Sequence, residues 1–265
     1  MAGLLKRIST KASVATITAG LAVGLVGGCG SSGGGGSSSS TSAAPNSAPR
    51  LAPIHGTYSP SIDPADFVAT IDNRYFPLKP GTGFHYKGVA EDGTTPQTDD
   101  MVVTSQTKKV LGVSCTVVRD TVRSRGRLIE RTYDWYAQDK AGNVWYMGED
   151  AREVQHGRLV RVSDSWQGGV KGAQPGIIMP GSPKPGDEYR QEYYPRYALD
   201  QARVLGGGGR VRVPDGSFKT TLLTEETSPI DPARERKYYV AGLGDIKEQT
   251  VAGNHEQIQL VSVTH

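Results

Sequence analysis

The sequence predicts a mainly β protein built on a single antiparallel, strongly curved sheet, open or forming a half barrel, with one or two short helices; a β-sandwich is the alternative. Two observations support this prediction. Short apolar or alternating runs recur from residue 84 to residue 263, which is typical of strands. The connectors between them, such as residues 125–126 and 156–157, are too short for parallel crossovers and therefore predict antiparallel hairpins.

Ten strands are predicted in chain order, each bounded by residues that favour turns. They cover residues 84–89, 101–105, 113–122, 128–137, 144–147, 159–162, 210–213, 218–223, 237–240 and 258–263. Further turns are predicted at residues 139–143, 215–216 and 253–254, which contain Asp, Asn and Gly. These residue types tolerate a positive φ or cap the backbone with their side chains.

Two short segments carry helical signals. Residues 64–69 are predicted to open a helix, with Asp63 as the N-cap and Pro64 at the first helical position. A second helix is predicted over residues 197–205, ended by Gly206. Neither helix is long enough to cover a large sheet, so the sheet must curl on itself, pair with a second sheet or expose a face.

Residues 1–28 have the organisation of an export signal, with three basic residues near the start followed by a short apolar stretch. Residues 26–29, Val-Gly-Gly-Cys, resemble the bacterial lipobox. The resemblance implies that Cys29 is diacylated through its thiol, becomes the N-terminus and holds the protein at the extracytoplasmic face of the membrane. A plain transmembrane anchor is the alternative, but the stretch is shorter than the roughly 20 residues that a bilayer requires.

Residues 29–60 are predicted to form a flexible tether, because they consist largely of Gly, Ser, Thr, Ala and Pro. Such a segment cannot bury enough apolar surface to offset the entropy of ordering it. About 30 residues of this kind have a root-mean-square reach of roughly 30 Å. Residues 61–265 contain no second low-complexity linker, so they are predicted to form one β-rich globular domain.

The net charge excludes a general affinity for nucleic acid. The chain has 30 basic and 27 acidic residues, and the export signal contains three of the basic ones and none of the acidic ones. The mature chain is therefore formally neutral, and no nucleic-acid partner is expected. Because lipid occupies Cys29, Cys115 has no intramolecular partner; it is predicted to pack as a small buried hydrophobe within a β-rich run.

The sequence contains no motif of a hydrolase, a phosphate-binding loop or a metal site. The five histidines are scattered, so no metal ligands and no cofactor are expected. Carboxylates cluster at residues 99–100, 149–150 and 187–188, where we interpret them as solvated turn residues. A hydrolase with a dispersed acid or His site remains the third functional alternative.

Aromatic residues are the most distinctive feature of the domain, with 12 Tyr against 4 Phe. Tyr and Trp suit walls that are apolar within and wet at the rim, so such a wall is predicted to bind lipid, glycan or peptide; half-buried sheet packing is the alternative. The apolar segment 175–181 is expected to be a flap over this wall or a plug inside it. The candidate binding residues are Tyr133, Trp135, Trp145, Trp166, Tyr193 and Tyr194.

A group of arginines surrounds the turn predicted at Gly126. Such a basic hairpin can contact anionic lipid head groups or cell-wall phosphates, each charge contributing on the order of 1 kcal/mol near a membrane surface. The alternative is a solvated edge hairpin whose charges deter pairing between sheet edges. The arginines are Arg119, Arg123, Arg125, Arg127 and Arg131.

Several segments together are similar to a family of uncharacterised bacterial secreted proteins and lipoproteins. They are IDNRYFPLKPG at residues 71–81, TYDWYAQD at 132–139, GNVWY at 142–146, GIIMP at 176–180, GDEYRQEYY at 186–194 and KYYVAGLG at 237–244. The chain departs from the pattern expected in that family at Ala241 and Asp245, where Pro and an apolar residue are expected. The resemblance implies no activity. More distantly, the pattern is similar in fold to exported lipoprotein carriers whose half-barrel sheet holds acyl chains.

These features lead to two functional hypotheses besides the hydrolase. The first is a non-enzymatic, membrane-anchored binding module that holds an apolar or amphipathic envelope ligand against a concave sheet. The second is an envelope protein that binds another protein or the cell wall through the basic hairpin.

Overall fold

The computed structural model describes residues 52–219 and 221–265. The predicted export signal, Cys29 and the tether up to residue 51 lie outside the described residues. Residues 52–60, which the sequence assigned to the flexible tether, pack on the domain, because Ala52 and Tyr58 are buried in its core. The packed domain therefore begins before residue 61, and the predicted boundary is corrected accordingly.

The described residues are almost entirely β. The strands are β1 Phe67–Val68, β2 Gly83–Val89, β3 Pro96–Val110, β4 Val113–Ser124, β5 Arg127–Asp139, β6 Val144–Gln155, β7 Arg158–Arg161, β8 Gln174–Met179, β9 Glu188–Arg190, β10 Glu192–Tyr193, β11 Gln201–Gly207, β12 Val211–Val213, β13 Gly216–Phe218, β14 Leu222–Ser228, β15 Asp231–Val240, β16 Gly244–Ala252 and β17 Gln257–Thr264.

One antiparallel sheet contains fifteen of these strands, in the order β10-β8-β6-β5-β4-β3-β2-β17-β16-β15-β14-β11-β9, with β1 added to β5 and β7 added to β6. The sheet curls until it is nearly closed into a barrel. Strands β12 and β13 form a small separate hairpin. The prediction of a single, strongly curved antiparallel sheet is confirmed.

Two of the predicted hairpin turns show why their residues suit them. Arg125 and Gly126 between β4 and β5 have φ values of 50° and 77°, and His156 and Gly157 between β6 and β7 have 51° and 78°. Two consecutive residues at positive φ match the right-handed twist of antiparallel strands, and Gly adopts this conformation without steric cost.

Alternating burial gives the sheet two different faces. Val118 on β4 and Tyr136 on β5 pack into the interior, whereas their neighbours Val117 and Trp135 pack into a second, smaller cluster on the opposite face. Cys115 belongs to this outer cluster and is fully buried, as predicted. Burial raises the pKa of its thiol to about 12, so the thiol is unreactive at neutral pH.

Neither predicted helix forms as expected. The prediction of a helix over residues 197–205 is wrong. Most of this segment belongs to β11, which pairs with β14 on one side and β9 on the other. The predicted helix at Pro64 is a single 3₁₀ turn over Pro64–Asp66, in which the Asp63 carboxylate accepts a hydrogen bond from the backbone N–H of Ala65 at 2.9 Å. Phe67 and Val68 leave the turn to pair with β5.

The segment 175–181 is neither a flap nor a plug. Residues 174–179 form β8, which pairs with β6 on one side and β10 on the other and is buried almost throughout. Gly176 has an extended backbone within β8. The residue is a glycine because a side chain would not fit: a Cβ atom would lie 2.4 Å from the carbonyl oxygen of Gln191. Close backbone approach, not a turn, therefore explains this glycine.

Candidate functional site

The interior of the curled sheet is filled by tyrosines and by acidic residues. Five tyrosines from five strands are the largest fully buried side chains there. Their hydroxyls carry polar atoms into the centre of the domain, where each hydroxyl needs a hydrogen-bonding partner. The tyrosines are Tyr86, Tyr136, Tyr146, Tyr189 and Tyr239.

Asp99 on β3 and Asp120 on β4 form a buried pair of carboxyl groups. Both residues are buried, and none of their four carboxyl oxygens has a hydrogen-bond partner among the described residues. Burial raises the pKa of Asp99 to about 8. Burial and the charge of Asp99 raise the pKa of Asp120 well above its ordinary value. At neutral pH the pair therefore holds at least one proton.

A second acidic pair, Asp245 and Glu248, comes from β16 on the other side of the interior. Burial and the neighbouring Glu248 raise the pKa of Asp245 well above its ordinary value. Asp245 occupies the position at which the family resemblance predicted an apolar residue. Glu248 acts electrostatically on both Asp99 and Asp120, so the two acidic pairs influence each other across the interior.

Lys237 on β15 is the buried cation of this region. Its Nζ lies 3.1 Å from Glu226 and 3.4 Å from Glu248. Burial alone would lower the pKa of Lys237, but the surrounding carboxylates raise it well above its ordinary value. The ammonium group therefore stays charged and links β14, β15 and β16 through one ion-pair network.

Other buried acids are bonded to aromatic residues. The hydroxyl oxygen of Tyr146 lies 2.6 Å from Asp134 Oδ1 and 2.5 Å from Glu149 Oε2. One hydroxyl can donate only one hydrogen bond, so one of these carboxyl groups must be protonated to donate the other. Trp166 donates a hydrogen bond from Nε1 to Glu192 Oε2 at 2.8 Å.

Three neutral polar side chains, which we call the polar cluster, lack a hydrogen-bond partner among the described residues. They are the hydroxyl of Tyr189 on β9, both amide atoms of Gln191 and the hydroxyl of Thr224 on β14, and all three residues are fully buried. Tyr189 lies opposite Ala202 on β11, which in turn lies opposite Glu226 on β14. Leaving such groups unsatisfied costs about 1–3 kcal/mol each, so this polar cluster is the candidate site.

The polar cluster lies beside the seam at which the two ends of the sheet meet. Strand β9 pairs with β11 at one end of the sheet, and β10 pairs with β8 at the other. Gln191 alone separates β9 from β10 along the chain. The ends of the sheet are therefore joined by the chain and by close packing at Gly176 instead of by a continuous ladder of hydrogen bonds.

The segment 52–58, which we call the latch, crosses this seam. Arg190 on β9 donates from its backbone N–H to Ala52 O at 2.8 Å and from its guanidinium group to Pro53 O and Ile54 O, each at 2.7 Å. Tyr58 donates from its hydroxyl to Pro175 O on β8 at 2.6 Å. The latch thus bonds to both ends of the sheet.

The aromatic residues predicted to form one binding wall are divided between the two faces of the sheet. Trp135, with Tyr133 and Trp145 beside it, packs in the outer cluster; Trp145 also contacts the interior. Trp166 is buried in the interior. Tyr193 and Tyr194 are partly buried and pack against the interior cluster. The guanidinium group of Arg190 stacks on Tyr193 at 5.0 Å, which leaves Tyr193 next to the seam.

Sequence reasoning missed the buried acids. Asp99 and Glu149 were interpreted as solvated turn residues, but both are fully buried in the middle of strands. Their neighbours Asp100 and Asp150 point to the opposite face and pair with arginines there. One signal for the burial of Asp99 was available in the sequence: every second residue from 97 to 103 lies on one face of β3. These residues, Gln97, Asp99, Met101 and Val103, are all buried. A carboxylate in such a pattern, however, normally marks the solvent face.

Among the described residues, no three His, Cys, Asp or Glu side chains are arranged to hold a metal ion. In the same part of the chain, no helix is both long enough and apolar enough to span a membrane.

Comparisons with known proteins give only distant structural similarities. No family profile and no curated protein matches the chain. The chain is similar to a structure from Bacteroides fragilis described as an exported protein with a YmcC-like fold, with a TM-score of 0.41, 12% identity, and coverage of 73% of this chain and 100% of that one. It is also similar to a structure from Parabacteroides distasonis described as a lipoprotein, with a TM-score of 0.34, 8% identity, and coverage of 72% and 99%.

Proposed function

We propose that the chain is an exported lipoprotein, anchored by lipid at Cys29, whose curled sheet holds an amphipathic ligand of the cell envelope. The basic start, short apolar stretch and lipobox-like residues 26–29 support export and lipid attachment.

Replacing Cys29 with Ala tests the anchor. Diacylation requires the thiol, so the Cys29→Ala protein should incorporate no labelled fatty acid and should remain at precursor size on a gel. The domain should stay folded, because Cys29 precedes its first described residue by more than twenty positions. If both proteins incorporate the same amount of label, the lipid is attached at another residue. If neither protein incorporates label, no lipid is attached.

The observation that supports ligand binding is the polar cluster of Tyr189, Gln191 and Thr224. Its hydroxyl and amide groups can both donate and accept hydrogen bonds, and no described residue uses them. A ligand that supplied complementary polar groups would recover the cost of burying them. Apolar side chains beside the cluster, such as Val204 and Leu222, are part of the main core and suit the apolar part of the same ligand.

Access to the cluster requires the seam to open. The three residues are inaccessible to solvent in the closed form. The latch supplies four hydrogen bonds across the seam, each contributing about 0.5–1.5 kcal/mol to stability. Withdrawal of the latch breaks these bonds and the packing of Ala52 and Tyr58 and leaves the strand pairing of the sheet in place, so it is a local opening.

Two matched substitutions distinguish an unsatisfied hydroxyl from a bonded one. Tyr189→Phe should leave the stability of the ligand-free protein unchanged or raise it by about 1 kcal/mol, because a buried group without a partner is removed. Tyr146→Phe should lower it by about 1–3 kcal/mol, because two buried carboxyl groups lose a partner. Urea denaturation measures both free energies of unfolding.

Ligand binding itself is tested by native mass spectrometry of residues 29–265 with Cys29→Ala, exported by the native host from a secretory signal without a lipobox and purified without detergent. The wild-type protein should carry a bound small molecule, and the Tyr189→Phe, Thr224→Val double variant should carry at least tenfold less, a loss of about 1.4 kcal/mol. Equal occupancy in both proteins would exclude this cluster as the site, and no bound species in the wild-type protein would count against the proposed function.

A further inference from the structure

The outer face of β4–β7 carries more arginines than the sequence indicated. Two hairpins contribute to it, β4–β5 and β6–β7, which lie side by side because β5 pairs with β6. Their turns, at residues 125–126 and 156–157, are at the same end of the sheet because successive strands are antiparallel. Arg119, Arg123, Arg131, Arg152 and Arg161 lie on the outer face of the strands, and Arg125, Arg127 and Arg158 lie at the ends of the two hairpins. We call these eight residues together the arginine face.

Three members of the arginine face form a row across three strands. Arg131 on β5 lies directly opposite Arg152 on β6, which lies directly opposite Arg161 on β7. Like charges placed directly opposite each other destabilise a sheet. Nε of Arg131 is buried and has no hydrogen-bond partner among the described residues, so the row carries a cost that the domain's own contacts do not fully offset.

Two carboxylates partly neutralise the surface. Asp150 lies 2.9 Å from Arg152 and 3.1 Å from Arg161, and Asp100 lies 2.6 Å from Arg123.

The other five arginines form no ion pair with a described residue. The Nη2 atom of Arg125 is 3.3 Å from the hydroxyl of Thr95, which donates to Asp92. The arginine face therefore remains strongly positive, although residues 29–265 together are formally neutral. The five are Arg119, Arg125, Arg127, Arg131 and Arg158.

We propose that the arginine face docks on the surface of a membrane that contains anionic phospholipids. Guanidinium groups bind phosphate through paired hydrogen bonds and are weakly hydrated, which suits a dense layer of phosphate head groups. Tyr133, which is partly exposed and lies opposite Arg119, is of the type enriched where an apolar phase meets water.

The length of chain between the lipid and the domain favours a membrane as the partner. This argument rests on the proposed anchor at Cys29, but not on the interior ligand site. Residues 30–51 would connect the anchor to the latch, and a Gly/Ser-rich chain of that length has a root-mean-square reach of roughly 25 Å. The domain is thereby held at high effective concentration beside the bilayer, where a weak electrostatic contact suffices to orient it.

Vesicle co-sedimentation of the mature chain, residues 29–265 with Cys29→Ala, tests this docking without a contribution from lipid. The protein should pellet with vesicles containing phosphatidylglycerol at low salt, and not with pure phosphatidylcholine vesicles. Replacing Arg125, Arg127 and Arg158 with Gln should reduce the partition coefficient roughly 100-fold, since each charge near a membrane surface contributes about a factor of five.

The matched control replaces Arg203 on β11, Arg210 just before β12 and Arg212 on β12 with Gln, which changes the net charge equally at exposed positions. This variant should bind like the unsubstituted chain, and both variants should keep its melting temperature. Equal pelleting with both kinds of vesicle, persistence of binding at high salt, or equal loss in the two triple variants would overturn the proposal. Because no lipid is attached in these proteins, such a failure would leave the anchor and the interior site untouched.

Discussion

Replacing Lys237 with Met is expected to lower the free energy of unfolding by about 3–5 kcal/mol near pH 8. Removal of the ammonium group leaves Glu226 and Glu248 buried without their shared counter-charge. The methionine side chain preserves most of the volume, so the expected loss reflects uncompensated charge and not a cavity. Near pH 5 the loss should be smaller, because Glu235, whose pKa burial raises to about 8, is then neutral and adds nothing to the uncompensated charge around residue 237.

Urea denaturation of the Lys237→Met protein at both pH values measures this effect, with Lys247→Met as the control. Lys247 lies on β16 and is partly exposed, and its Nζ lies 5.6 Å from the ring centre of Tyr238 without an ion pair to a described residue. Its substitution should cost less than about 1 kcal/mol. Equal losses for the two lysines would show that the ion-pair network of Lys237 contributes little to stability.

The local signals in the sequence were sufficient for the hairpins. Gly126 and Gly157 follow residues that tolerate positive φ, and the strands beside them have regular apolar alternation, so turn chemistry and period agree. The segment 201–207 lacked that agreement, since Leu205 and Ala202 favour a helix. Pairing with β9 and β14 on both sides outweighed this preference, and such distant partners are not visible in a local window.

The candidate site was hidden for a different reason. A sequence-based expectation places carboxylates in solvent, because an isolated charge is costly to bury. Asp99 and Asp120 are tolerated inside because burial raises their pKa values, and Glu226 because Lys237 faces it. Each partner comes from another strand, so the pairs exist only once the register of the sheet is set. The seam likewise depends on contacts between residues as distant as Tyr58 and Pro175.

The Asp99 carboxyl should make the domain less stable as pH rises. In the unfolded chain it loses its proton near pH 3.8, whereas in the folded protein burial keeps the proton up to about pH 8. Between these values the folded state binds more protons, so stability falls by about 1.4 kcal/mol per pH unit for each such group. The stabilisation is fully present below pH 3.8 and is lost as pH rises through about 8.

Asp99→Asn tests this dependence, because Asn is neutral at every pH and nearly isosteric with the protonated acid. The free energy of unfolding of Asp99→Asn relative to wild type should increase by about 1.4 kcal/mol for each unit between roughly pH 5 and 7. Asp120, Glu130 and Glu248 are the acidic groups that act most directly on Asp99, and they remain in place in both proteins. Urea denaturation at several pH values gives the difference directly.

The matched control is Asp150→Asn on β6. Asp150 points to the outer face, is partly exposed and pairs with Arg152 at 2.9 Å and with Arg161 at 3.1 Å, so its substitution removes surface ion pairs worth about 0–1 kcal/mol each. The difference between Asp150→Asn and wild type should therefore not grow with pH in the manner expected for Asp99. A pH-independent difference for Asp99→Asn would mean that Asp99 is ionised in the folded protein.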